Sequence, residues 1–163
     1  MSQAVEIRIR AARTDDCESL AAFNAAMALE TEDKSLDPAV LRAGVARVLA
    51  EPARGFYLVA EIDGAAAGCL MVTFEWSDWR NGDWWWLQSV YVAPAHRRHG
   101  VFRALYAEVE RRAIERNDVV GVRLYVERDN VRAQRTYASL GLREEHYRLY
   151  GKPLRAGVSS SGE

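Results

Sequence analysis

Three strand-like segments joined by two tight-turn dipeptides constrain the fold of this chain most. The dipeptides are Asp63-Gly64 and Asn81-Gly82, and each is a strong signal for a two-residue hairpin turn. The sequence therefore predicts an antiparallel meander of three consecutive strands. These strands are FYLVAEI (56–62), GCLMVTFEW (68–76) and WWWLQSVYV (84–92).

Helical and further strand patterns flank this meander. Thr14 is a candidate cap for a helix over 15–29, and Asp37 followed by Pro38 opens a second helix to about Leu49. After the meander, apolar residues four apart predict an amphipathic helix over 100–116, and Gly141 ends a short helix over 131–140. Three more segments have strand patterns: VEIRIRA (5–11), VGVRLYVE (120–127) and LREEHYRLY (142–150).

The order β-α-α-β-β-β-α-β-α-β combines hairpins with strand–helix–strand units. It predicts an α/β (mixed α+β) fold with a central mixed, mostly antiparallel sheet of six to seven strands, flanked on both sides by about four helices. A chain of 163 residues has the length of one domain. We expect a single domain over residues 1–150 and a tail over 151–163, of which the last eight residues are disordered.

Composition excludes several classes of function. The net charge is −1, whereas nucleic-acid-binding proteins usually carry an excess of basic surface. No apolar run reaches the ~18 residues of a membrane span, and the polar start does not resemble a signal peptide. Two cysteines are too few for a disulfide framework or a zinc cage. We expect a cytoplasmic protein that needs no metal and binds neither nucleic acid nor membrane.

A basic loop follows the most apolar strand. The strand ends at Val92, and Arg97, Arg98 and His99 precede a helix start near Gly100. The start of a helix presents unpaired backbone N–H groups and the positive end of its dipole, which suits a phosphate or pyrophosphate. The same residues also fit a solvated basic turn.

A second segment, RDNVRAQRTYASLGL (128–142), follows a predicted strand. It places Asn130 just after that strand and Tyr137 inside the next helix. By themselves these two residues also fit a capping asparagine and a core tyrosine.

Together, the two segments resemble the GNAT superfamily of acetyl-CoA-dependent N-acetyltransferases. RRHGVF (97–102) fits the acyl-CoA loop pattern [Q/R]-x-x-G-x-[G/A], except that Phe102 stands where the family prefers a small residue. The pattern N-x-x-A-x-x-x-Y-x-x-x-G is filled by Asn130, Ala133, Tyr137 and Gly141. The strand order agrees as well, so the resemblance covers about residues 5–150.

The resemblance implies acetyl-CoA as cosubstrate and assigns roles to individual residues. The pantetheine arm would pair with the backbone near Val90 and Val92 like an added strand, and Tyr137 would act as general acid toward the leaving thiolate. The implied cofactor contacts are Val90, Tyr91, Val92, Arg97, Arg98, His99, Gly100, Val101, Phe102, Arg103, Asn130 and Arg132.

The resemblance also bears on the catalytic base. The hairpin region is similar to that of diamine (spermidine/spermine-type) acetyltransferases, which usually carry a glutamate where this chain has Gln88. If Asn81 and Gly82 are the central residues of a tight turn, Glu75 lies directly opposite Gln88 and could supply the carboxylate. Glu75 equally fits a solvent-facing strand residue. The catalytic candidates are therefore Tyr137, Glu75 and Gln88.

The predicted acceptor is a small, cationic primary amine. Glu30, Glu32 and Asp33 lie between the first two helices, where the superfamily usually builds its acceptor pocket, and acids there favour a cation. Trp76 and Trp79 could wall an amine through cation–π contact. The alternatives are a solvated acidic loop, and tryptophans buried in the core or in a homodimer contact. Other candidate functions are acetylation of a peptide N-terminus or an aminoglycoside, and a non-catalytic acyl-CoA sensor.

Overall fold

The computed structural model describes residues 5–155, 157 and 158. This part of the chain contains one sheet, four α-helices and two short 3-10 turns, Thr14–Asp16 and Pro94–His96. The strands are β1 (Arg8–Ala11), β2 (Gly55–Ile62), β3 (Ala65–Ser77), β4 (Gly82–Val92) and β5 (Val119–Leu124). The α-helices are α1 (Cys17–Glu32), α2 (Pro38–Ala50), α3 (Val101–Glu115) and α4 (Val131–Ser139).

The sheet has the order β1-β2-β3-β4-β5. The first four strands are antiparallel neighbours, and β5 pairs with β4 in parallel. A parallel pair needs a long crossover, which here contains α3. The mixed α/β architecture is therefore confirmed, but the described residues form five strands rather than six to seven.

Helices cover both faces of this sheet. Leu20 of α1 and Val45 of α2 pack on Tyr57 and Cys69. Side chains alternate along a strand, so the neighbouring residues Phe56 and Gly68 face the opposite side. There α3 packs: the guanidinium of Arg112 lies 5.8 Å from the Phe56 ring centre, and Val101 borders Gly68.

The chain divides into two units, one ending at Tyr125 and one beginning at Val126. In the second unit, residues 142–150 form no strand, so that prediction is wrong. An alternating pattern forms a strand only beside a neighbouring strand. Within the described residues this segment pairs with no strand, and its residues Tyr147 and Leu149 are exposed. The division into a 1–150 domain and a tail stays a prediction, and residues 156 and 159–163 of that tail lie outside the described residues.

The two predicted helix starts have different outcomes. Asp37 caps α2 as predicted, because its Oδ1 accepts a hydrogen bond from the Ala39 amide at 2.8 Å. Thr14 does not cap α1, which begins at Cys17 after the 3-10 turn. Helix α1 also continues to Glu32, which places Glu30 on its last turn.

The hairpin between β2 and β3 forms as predicted, and the hairpin between β3 and β4 does not. Asp63 and Gly64 both adopt positive φ, 51° and 77°, which a type I′ turn requires. At the second site only Asn81 has positive φ, 49°. Gly82 already belongs to β4, and a Cβ there would lie 2.7 Å from the Asp118 carbonyl oxygen. The glycine is needed for this close approach.

The second hairpin therefore has a different register from the predicted one. Ser77 pairs with Gly82, so residues 78–81 form a four-residue loop. Glu75 lies opposite Trp84, and Gln88 lies opposite Met71. The prediction that Glu75 faces Gln88 is wrong: the two positions are offset by four residues along the strand, about 13 Å.

No helix in the described residues is long and apolar enough to span a membrane.

Candidate functional site

A β-bulge interrupts β4 near its end. Gln88 pairs with Met71 and Tyr91 with Cys69, so β4 has one residue more than β3 between these pairs. Ser89 adopts a φ of 50° there, which is uncommon for a residue other than glycine. Because of the extra residue, Gln88 and Tyr91 point to the same face of the sheet although they are three positions apart.

The strand is also open on one side beyond the bulge. The ladder between β4 and β5 ends at the pair Leu87–Leu124. From Gln88 to Val92, β4 therefore has β3 on one side and, within the described residues, no strand on the other. Peptide groups on such an edge can pair with an extended ligand. The pairing with pantetheine that the resemblance implies for Val90 and Val92 stays a prediction.

The loop after β4 leads to an open helix start. Arg98 and Gly100 both have positive φ, 68° and 83°. Gly100 is the N-cap of α3 and provides no capping side chain. Among the described residues, no protein group accepts a hydrogen bond from the backbone amides of Arg98, His99, Gly100 and Val101. A loop of this kind binds an anion through its amides and the helix dipole.

Phe102, which departs from the family pattern, lies on the first turn of α3. Its ring packs beside that of Tyr106 with the ring centres 6.2 Å apart, so the side chain is oriented along the helix. Arg103 is exposed on the same turn.

The first arginine of the loop has a different environment from the others. Arg97 Nε donates to the Val92 carbonyl at 2.9 Å, and its Nη2 lies 2.6 Å from Glu30 Oε2. The Tyr91 hydroxyl donates to the other Glu30 oxygen at 2.9 Å. The hydrogen bond from Arg97, and to a smaller extent that from Tyr91, lowers the pKa of Glu30. The structure thus brings together a predicted acceptor residue and two predicted cofactor residues.

The other predicted acceptor residues do not join this cluster. Glu32 pairs with Lys34 at 2.6 Å. Trp76 and Trp79 are 59% and 87% exposed, at the end of β3 and in the loop that follows. In the described residues, the tryptophans that contact cations are Trp84 and Trp86.

Glu75 belongs to a second cluster, on the sheet face that carries Gln88. Its carboxylate accepts from Trp86 Nε1 at 2.8 Å and from Arg123 Nη1 at 3.1 Å. Arg123 stacks on Trp84 with 3.7 Å between its Cζ and the ring centre. Gln88 donates to the Thr73 hydroxyl at 2.6 Å instead. Arg123 thus occupies the Glu75 carboxylate, which the sequence offered as a catalytic base, and the face of Trp84.

The second motif lies in the unit that begins at Val126. Asn130 is the N-cap of α4, and its Oδ1 accepts from the Ala133 amide at 3.0 Å. Arg132 is exposed on the first turn. Tyr137 is half-buried, and this burial raises the pKa of its phenol.

Neither cysteine has the properties of a nucleophile. Cys69 is fully buried, and burial raises the pKa of its thiol to about 12. Cys17 points its thiol toward the Arg42 carbonyl at 3.7 Å. The described residues also contain no group of three or more side chains able to hold a metal ion.

Sequence reasoning missed Arg123 and the bulge at Ser89. An arginine inside the apolar strand VGVRLYVE was a usable signal, because a charged residue there needs a partner. The bulge had no local signal, because serine is not a residue that favours positive φ.

Comparisons with known proteins find similar sequences and folds. The profile of the acetyltransferase (GNAT) family matches residues 10–142. A crystal structure described as "a possible acetyltransferase from Clostridium difficile 630" has 42% sequence identity and a TM-score of 0.86, and the match covers 91% of this chain and 98% of that one. No curated protein sequence matches the chain.

Two more distant structures share the fold. An aminoglycoside N-acetyltransferase in complex with CoA is 16% identical with a TM-score of 0.74, over 95% of this chain and 99% of that one. A ribosomal-protein-alanine N-acetyltransferase from Brucella melitensis biovar Abortus 2308 is 17% identical with a TM-score of 0.74, over 92% and 100%.

Proposed function

The chain belongs to the acetyltransferase (GNAT) family, and we propose that it transfers the acetyl group of acetyl-CoA directly to a primary amine of a small acceptor. The observation that carries this proposal is the combination of an open β4 edge with the uncapped start of α3. The edge suits the amides of a pantetheine arm, and the loop amides suit a pyrophosphate. The two features follow each other along the chain, as the two parts of the cofactor require.

The reaction needs no covalent enzyme intermediate. The amine nitrogen attacks the thioester carbonyl, and a C–N bond forms as the C–S bond breaks. Negative charge develops first on the carbonyl oxygen, where a backbone N–H of β4 near the bulge can donate to it. The charge then moves to the sulfur of CoA, which leaves as a thiolate or a thiol.

Tyr137 is the proposed hydrogen-bond donor to that sulfur. Its phenol stays protonated at neutral pH, because burial raises a pKa that is already near ~10 in its ordinary state. A thiol has a pKa near ~8.5, so complete proton transfer from the phenol is uphill. The hydroxyl therefore stabilises developing charge rather than delivering its proton irreversibly.

A water molecule is the proposed carrier of the amine proton. Gln88 has no group that can accept a proton at neutral pH, and Glu75 is offset from it by about 13 Å. The Glu75 carboxylate is also engaged by Trp86 and Arg123. A small amine with a pKa near ~10 would pass its proton through this water to bulk solvent before attack.

The acceptor is proposed as a small amine, with the cationic class one candidate among several. Both oxygens of Glu30 are already hydrogen-bonded, so this carboxylate supports a cationic acceptor less than the sequence suggests. Peptide N-termini and aminoglycosides remain alternatives with the same cofactor site. A non-catalytic acyl-CoA sensor remains the alternative from another class.

Release of free CoA tests the proposal. The purified protein and its Tyr137→Phe variant are assayed with acetyl-CoA and panels of polyamines, amino acids, short peptides and aminoglycosides. We expect turnover with one panel and a loss of roughly 10²–10⁴-fold in the variant, since a general acid contributes about that much. Acetyl-CoA binding, measured by calorimetry, should change little.

Three outcomes contradict parts of the proposal. Binding of acetyl-CoA without turnover on any panel would identify a sensor. Normal turnover in a folded Tyr137→Phe protein would remove Tyr137 from the mechanism. Failure to bind acetyl-CoA would refute the cofactor site.

A further inference from the structure

Three arginines, Arg97, Arg98 and Arg103, lie in the loop between β4 and α3 (residues 93–100, the cofactor loop) and on the first turn of α3. Their environments differ. Arg97 pairs with Glu30 at 2.6 Å, whereas Arg98 and Arg103 form no ion pair within the described residues. All three are exposed. The charge of Arg97 is thus already neutralised by a carboxylate, and the charges of Arg98 and Arg103 are available to a phosphate.

The side chain of Arg97 contacts residues of β4 and α1. Its Nε donates to the carbonyl of Val92, the last residue of β4, and its guanidinium lies 5.5 Å from the ring centre of Tyr91. Glu30 joins both side chains, accepting from the Tyr91 hydroxyl and from Arg97. Arg97 therefore ties the first residue of the loop to the end of the strand.

We propose that Glu30, Tyr91 and Arg97 form a positioning clamp that holds the open end of β4 and the start of the cofactor loop in binding geometry. Arg98 and Arg103 then contact the phosphates. The clamp rests on the proposed acetyl-CoA site. It gives Glu30 a role in cofactor binding although it touches no phosphate. Helix α1 is thereby joined to the cofactor site through its last turn.

The direction in which one substitution changes the affinity for acetyl-CoA distinguishes the clamp from simple electrostatics. Glu30 is an anion beside a site for an anion. If charge alone mattered, Glu30→Ala would strengthen acetyl-CoA binding, because it removes a like charge. If the clamp operates, the same change weakens binding, because Val92 and Arg97 lose their support.

We expect Glu30→Ala to weaken acetyl-CoA binding about two- to fivefold, within the range that exposed ion pairs contribute. Glu30→Gln keeps one acceptor oxygen and should lie between Glu30→Ala and the wild type. Glu18→Ala is the matched control, since Glu18 is also an exposed carboxylate of α1 paired with an arginine, Arg42. The control should bind acetyl-CoA like the wild type in the same calorimetric titration.

Salt dependence separates Arg97 from Arg98. Screening weakens attraction between charges, so loss of a phosphate-contacting cation makes affinity less sensitive to salt. Arg98→Gln should flatten the dependence of affinity on salt concentration. Arg97→Gln should lower the affinity and leave this dependence as steep as in the wild type.

Tighter binding in Glu30→Ala, or equal flattening in both arginine variants, would overturn the clamp. Amide hydrogen exchange of the cofactor-free protein tests it without any ligand. Glu30→Ala should speed exchange over residues 92–98, and unchanged exchange there would refute the clamp even if the wild type failed to bind acetyl-CoA. That failure would instead refute the proposed function.

Discussion

Two connections in this molecule lead from a strand into a helix, one from β4 into α3 and one from β5 into α4. The first ends in Gly100, which has positive φ and no capping side chain, and the loop amides before it have no protein acceptor in the described residues. The second ends in Asn130, whose side chain accepts from the Ala133 amide. One helix start is left open, and the other is closed by its own N-cap.

The β5–α4 connection is closed in a further way. The side-chain amide of Gln134 donates to the carbonyls of Glu127 and Arg128 at 3.0 and 2.8 Å. A side chain of α4 thus provides hydrogen-bond donors for two carbonyl groups of the preceding loop. A helix start binds an anion only if its amides are not already used. The residue at the N-cap therefore distinguishes the two connections, and the first is the one whose amides are open to the proposed phosphate.

The strongest way to break this contrast is to place a carboxylate at the open start. Gly100→Asp should weaken acetyl-CoA binding by at least about tenfold, because a like charge in contact with the pyrophosphate is strongly unfavourable. Calorimetry measures the change. Gly100→Ala is the control: it adds a Cβ at a φ of 83° without a charge, and that Cβ meets nothing within 4 Å. Equal losses in both variants would mean that backbone strain, not charge, is responsible.

The closed start can be opened instead. Asn130→Ala removes the cap and should destabilise α4 by about 1 kcal/mol, seen as faster amide exchange over residues 131–139. Asn130→Asp keeps a good capping oxygen and should preserve the protection. If Asn130→Asp also loses acetyl-CoA affinity with α4 intact, the amide of Asn130 contacts the cofactor. Faster exchange in both variants would show that the side-chain cap is not what holds this helix.

The smallest expected effect concerns the stability of the protein at acidic pH. The guanidinium groups of Arg111 and Arg112 lower the pKa of Glu108 on α3 to about 2, whereas α4 (VRAQRTYAS) contains no carboxylate. A lowered pKa in the folded state stabilises the protein above pH 4.5, and this contribution is lost as the pH falls toward 2. Solvent screening keeps it below about 1 kcal/mol.

Melting temperatures of the wild type and Glu108→Gln test this dependence. The wild type should be slightly more stable at pH 7, and the difference should shrink at pH 3. If the difference in melting temperature between the two proteins is the same at both pH values, the ion pairs of Glu108 contribute no stability that depends on its ionisation.

Apart from the Thr14 cap, the sequence predicted those features that depend on neighbouring residues. Asp37 before Pro38 marked the start of α2, and Gly100 marked the start of α3, because caps and turns are decided within a few residues. The Asp63-Gly64 turn succeeded for the same reason. Asn81-Gly82 failed because Gly82 is fixed by the Asp118 carbonyl, thirty-six positions away. No local pattern contains that contact.

The ion pairs at the site show the same limit. Glu30 was assigned to an acceptor and Arg97 to a phosphate, yet the two are partners across 67 positions of sequence. Glu75 and Arg123 are partners across 48 positions. Residue type and spacing identified the loop and its open helix start, but they could not tell which charges were already neutralised.

The bulge at Ser89 acts on β4 as a single inserted base acts on a reading frame. Every side chain before it keeps one alternation, and every side chain after it keeps the opposite one. Flattening the bulge with its extra residue retained would turn the Tyr91 hydroxyl to the face of α3, away from Glu30, whereas deleting that residue would leave Tyr91 opposite Cys69 on its present face. The position of Tyr91 beside Glu30 therefore depends on the irregular backbone at Ser89 as well as on residue identity.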